Sequence, residues 1–98
     1  MMAVSQITLA DVKKRLRIDY DYDDDQLGAL MTAAQAVIRD LTGRTDAEID
    51  GFPQAYHLYM SIMQHMYDNN ELTAQAKDLD MACQIVINQM KTAEVVIA

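Results

Sequence analysis

The sequence predicts an all-α protein, a small bundle of about four helices with a short apolar C-terminal extension. Three observations carry this. Only three glycines and one proline interrupt 98 residues, strong helix formers fill the rest, and apolar residues recur at the three- and four-residue spacing of amphipathic helices. The length leaves no room for a large substrate domain, and the expectation is a single domain over residues 1–98.

The first helix is predicted near 9–17. Thr8 followed three residues later by Asp11 is a close relative of the capping box, and Leu9, Val12 and Leu16 fall on one face. The acidic stretch 19–25 reads as a turn and a helix start, with carboxylates opposing the positive end of the next helix dipole. A second helix near 25–42 places Leu27, Leu30, Met31, Ala34, Val37, Ile38 and Leu41 on one buried stripe. Gly43 in Thr42-Gly43-Arg44 is suited to the left-handed residue that closes it.

Residues 45–52 read as a connection, and Pro53 suits the first turn of a third helix near 53–68. That helix is apolar on several faces, which marks it as central to the fold or shared with a neighbour. Asp68-Asn69-Asn70 breaks it. A fourth helix, near 78–91, carries Leu79, Ala82, Cys83, Val86 and Met90 on a stripe that Ile85 and Ile87 widen. Val95, Val96 and Ile97 then form an apolar end that is costly to leave in water, so the expectation is that they dock on a partner.

Fifteen acidic residues against eight basic ones give a formal net charge of -7, which opposes attraction to phosphate backbones and anionic membranes. No apolar run approaches the roughly 20 residues needed to span a bilayer. Cys83, the single cysteine, has no partner for an intramolecular disulfide, and the first residues lack the basic-then-apolar pattern of a leader. The expectation is a protein made in a reducing cytoplasm.

No catalytic, cofactor-binding or metal-ligating set is predicted. Asp19, Asp21 and Asp23 match the first ligand positions of an EF-hand, but the required glycine is Asp24 and the closing glutamate is Leu30. His57 and His65 stand eight residues apart, too far along one helix to share a zinc ion. Cys83 lies on an apolar stripe with no second cysteine, where it reads as a small hydrophobe. Phosphate-loop, nucleophile-elbow and HExxH patterns are absent.

What remains are surfaces. Lys13, Lys14, Arg15 and Arg17 stand beside five aspartates between Asp19 and Asp25, and patches of both signs suit contacts between copies of one protein. Lys13, Lys14 and Arg17 on one side, with Asp21, Asp23 and Asp24 on the other, are the candidate subunit contacts. Met60 and Met63 add adaptable apolar surface to the third helix. A helix-turn-helix reading ranks last, because the acidic loop is long for that turn and the second helix carries only Arg39 and Arg44 as cations near its far end.

The run Ile7-Thr8-Leu9-Ala10-Asp11-Val12-Lys13-Lys14-Arg15-Leu16-Arg17-Ile18-Asp19 resembles the "ITLxxVKxxLRID" opening of the small head-tail connector proteins of tailed bacteriophages and prophages. The acidic loop, the long helix closing on Thr42-Gly43-Arg44, and Met66-Tyr67-Asp68-Asn69-Asn70 at the end of a proline-started helix follow in the family's order over roughly residues 7–70. This sequence has Asn70 where the family often has Arg. It also lacks the usual "LLxPYR" ending, with Ile87-Asn88-Gln89-Met90-Lys91 in that area.

The resemblance implies a non-enzymatic virion protein without cofactors, assembled in the bacterial host cytoplasm. It implies a homo-oligomeric ring of roughly a dozen copies at the head-tail junction, between the portal protein and the tail or its stopper. DNA would pass through its centre without sequence-specific binding. The competing expectation is a small dimeric or tetrameric helical adaptor or regulator with no phage role.

Overall fold

A computed structural model describes residues 3–93. Five α-helices build it: α1 (Leu9–Leu16), α2 (Asp24–Thr42), α3 (Asp46–Asp50), α4 (Ala55–Asn69) and α5 (Met81–Thr92). Single 3-10 turns at Val4–Gln6 and Ala76–Asp78 precede α1 and α5. The described residues hold no strand, and no described helix is long and apolar enough to cross a membrane.

The bundle is organised around α2 and α4, which pack along each other, with α1 lying on both and α5 closing the far side. The α2 stripe behaves as its spacing predicts: Leu27, Leu30, Ala34, Val37 and Ile38 are buried. On α4, Ala55, Leu58, Tyr59, Met60, Ile62, Met63 and Met66 are all buried, because α1, α2, α5 and the N-terminal turn surround it. Its wide apolar girth belongs to the core of a single chain. Burial of each large side chain there contributes about 1.5–3 kcal/mol. Tyr59 keeps its hydroxyl satisfied by donating to the Met31 carbonyl at 3.3 Å, and burial pushes its phenol up to about 12.

The helix ends follow capping chemistry. Thr8 accepts from Asp11 N–H while Asp11 accepts from Thr8 N–H and Oγ1, at 2.9 Å each for the latter two. Gly43 closes α2 at φ 66. The chain also places two other residues in the left-handed region, Arg17 at φ 60 and Asn70 at φ 53. Each is followed by the six-to-one backbone bond of a Schellman turn, Ile18 N–H to Lys13 O at 2.8 Å and Glu71 N–H to Met66 O at 3.0 Å.

Three boundaries differ from the expectation. The third predicted helix starts at Ala55 because Pro53 lies in a turn closed by Ala55 N–H to Phe52 O at 3.1 Å. The last starts at Met81, where Asp80 caps it by accepting Cys83 N–H at 2.9 Å; Leu79 before it is extended. The connection 45–52 contains α3, held by a reciprocal Thr45–Glu48 capping box.

Candidate functional site

The surface around α1 and the acidic loop is organised first by contacts within the chain. Lys13, its side chain 15 % exposed, reaches Asp21 at 2.6 Å and Asp24 at 2.9 Å. These two contacts hold the Lys13 ammonium above its ordinary value and the Asp21 carboxyl below its own. Asp23 accepts from the Tyr67 hydroxyl at 2.9 Å and from Tyr20 at 3.3 Å, and the two phenols lie 3.2 Å apart. Hydrogen bonding to Tyr20 and then to Asp23 pushes the Tyr67 phenol upward. The loop is thereby fastened to α1 on one side and to the end of α4 on the other.

Of the six charged residues expected at a subunit contact, Lys13, Asp23 and Asp24 are engaged internally. Lys14 and Arg17 face outward with Arg15, and among the described residues none of the three makes an ion pair. They line a shallow depression together with Asp11 and Tyr56. The Asp21 side chain is 90 % exposed despite its bond to Lys13, so it can meet a second cation.

Met60 and Met63 require a correction. They were expected at a boundary between copies, yet they are 1 % and 0 % exposed within one chain, because α4 runs through the centre of the bundle. Among the described residues the exposed large apolar side chains are instead Tyr20, Tyr22, Leu72, Met81 and Ile85. Met81 and Ile85 stand one turn apart on the outer face of α5. The period of the α5 stripe already puts Ile85 off the buried face, which is the signal that marks it. Val95, Val96 and Ile97 lie outside the described residues.

Two further groupings have no counterpart in the sequence reading. Arg44 folds back over the end of α5, donating to Met90 O at 2.6 Å, Lys91 O at 3.4 Å and Ala93 O. It also pairs with Glu48 at 3.0 Å, and its guanidinium lies 6.0 Å from the centre of the Phe52 ring. Around Cys83, meanwhile, His57 from α4 and Asp80 from the α5 cap bring a ring nitrogen, a sulfur and a carboxylate oxygen within 4.8 Å of one another. Spacing within one helix does not reveal that set, since its members come from two elements.

His65, the other histidine, sits apart. Its Nε2 is buried without a hydrogen-bond partner and lies 3.7 Å from Asp78 and 3.8 Å from Glu71.

The charged loop of this all-α bundle is fixed from within, and its outer face carries outward-facing cations and apolar side chains. A family model described as "Phage gp6-like head-tail connector protein" matches residues 6–94. The chain belongs to this family of structural phage head-tail connector proteins. The match runs past the stretch 7–70 in which the motifs are visible and takes in α5. No curated protein and no solved structure matches the chain.

Proposed function

We propose that the chain is the repeating subunit of a closed ring at the junction of phage head and tail, seated between the portal protein and the tail or its stopper. DNA passes through the centre of that ring. The family match over residues 6–94 carries the reading.

A ring forms when one patch of a subunit meets a different patch of the next copy. Lys14 and Arg17, with Arg15 between them, supply the basic side, and the outward Asp21 marks the acidic side. Lys13, Asp23 and Asp24 act behind that surface, holding the loop in shape. Arg17 supports the assignment from another direction. A non-glycine residue in the left-handed region costs roughly 1–2 kcal/mol, and Arg17, exposed at φ 60, makes no ion pair among the described residues to offset it.

The net charge of -7 suits a conduit, because a bore that neutralised many phosphates would hold DNA in place. The virion is the place of action, with assembly in the host cytoplasm.

The test is native mass across a concentration series, alone and with the portal protein, with negative-stain images of large species. Closed rings of about ten or more copies are expected. A fixed dimer or tetramer under both conditions refutes the ring. With rings in hand, Lys14→Glu combined with Arg17→Glu is expected to abolish them; rings that persist refute this contact.

A further inference from the structure

The set His57, Asp80 and Cys83 draws on three kinds of metal ligand. His57 lies in the first turn of α4 and is exposed; Cys83 lies in the first turn of α5 and is buried; Asp80 stands between them as the α5 cap. On a tetrahedral zinc ion such ligands bind at about 2.0–2.3 Å, which sets them roughly 3.3–3.8 Å apart. The three ligand atoms lie within 4.8 Å of one another, close to that spacing with no ion bound. We propose that His57, Asp80 and Cys83 bind one Zn²⁺ ion that joins α4 to the start of α5.

The residues are arranged for the task. Asp80 is fixed by its bond from Cys83 N–H at 2.9 Å. The same backbone bond, followed by a side-chain hydrogen bond from Cys83, holds its carboxyl below the usual range and therefore ionised. Burial pushes the Cys83 thiol up, while a hydrogen bond with the Ser61 side chain pulls it down. Ser61 is one turn beyond His57 on α4, so its hydroxyl flanks the same spot. Zinc resolves the opposition to ionisation, since the ion replaces the thiol proton and its charge stabilises the thiolate. The balance is simple: one ion enters, the Zn–S bond forms, and one proton leaves Cys83 for solvent. The exposed imidazole gives the ion its way in.

Thiolate, imidazole and carboxylate together favour zinc over the hard cations calcium and magnesium, which take oxygen ligands. Arg15 lines the same depression as Ser61 and Asp80, so the site borders the Lys14–Arg17 patch, but its existence does not depend on ring formation.

Cobalt(II) is the probe, because its bond to a thiolate gives a charge-transfer absorption that carboxylates and imidazoles alone do not. Titrating the full-length chain with Co²⁺ is expected to give this band at one ion per chain, and Zn²⁺ is expected to displace it. Cys83→Ser removes the band. His57→Gln, at an exposed position, and Asp80→Asn, which keeps a capping side chain, each weaken binding at least about tenfold. Circular dichroism confirms that the variants stay folded. Absence of the band in the wild type overturns the site, as does a band whose affinity is unchanged in either His57→Gln or Asp80→Asn, since the thiol is then binding metal without the other ligands.

Discussion

Tyr67, near the end of α4, donates its hydroxyl to Asp23, the residue that precedes α2, at 2.9 Å. This one bond spans 44 residues of sequence and ties the acidic loop to the core helix. Tyr67→Phe deletes it while leaving the ring packed. The variant is expected to stay folded and to exchange the backbone amides of residues 19–24 about tenfold faster or more, in line with loss of one hydrogen bond to a charged group. Unchanged exchange in that stretch would show that Lys13 alone fixes the loop.

Arg17→Gly separates stability from assembly. Glycine occupies the left-handed region without steric cost, so the subunit is expected to gain about 1 kcal/mol in denaturant unfolding, with the slope of the transition unchanged. The same variant loses a cation from the proposed ring contact and should assemble less well. A variant that is more stable and assembles fully would remove Arg17 from the interface.

Arg44 ties the start of α3 to the end of α5 through several hydrogen bonds. Arg44→Met keeps much of the side chain's bulk and removes the bonds to Met90, Lys91 and Glu48. Loss of about 2–3 kcal/mol is expected, measured by chemical unfolding. Arg44→Lys should recover little of it, because an ammonium lacks the fork that reaches several acceptors at once.

Acid should destabilise the fold in a defined window. Asp11 is held below its ordinary 3.8 chiefly by a backbone hydrogen bond from Thr8, Asp80 below 3.8 by one from Cys83, and Glu48 below 4.5 by one from Thr45. A carboxyl lowered on folding adds stability that is complete above its unfolded value and is lost as pH falls through its folded value. Thermal midpoints should therefore match at pH 7 and at about pH 5, and fall below about pH 4. Asp11→Asn, which removes one of the three titrating carboxyls, should flatten that fall. A midpoint steady to pH 3 contradicts the capping account.

The helices that periodicity marks most clearly, α2 above all, were legible in the sequence because one buried stripe suffices to specify them. The same holds for the Thr8–Asp11 box and for Gly43. The short α3 was equally legible in principle, since Thr45-Asp46-Ala47-Glu48 is a capping box; five residues give no apolar period to draw attention to it. The site was harder. That Met60 and Met63 face inward depends on how many helices surround α4, which a one-dimensional pattern does not contain. Lys13 and Lys14 are adjacent and chemically identical, yet one is tied to two aspartates and the other is outward-facing. The direction of each side chain decides this, and that direction follows from the path of the loop. Arg44 beside Met90 and His57 beside Cys83 are products of tertiary packing alone.

The Arg44 clamp has a mechanical consequence. An ordinary helix end frays residue by residue under load, because its last carbonyls bond to water. Here the final carbonyls of α5 are gripped by a side chain rooted just after α2 and braced by Glu48. Tension applied to the chain beyond Ala93 is then delivered to the corner between α2 and α3 instead of unwinding α5 from its tip. Whatever pulls on that terminus pulls on the whole bundle.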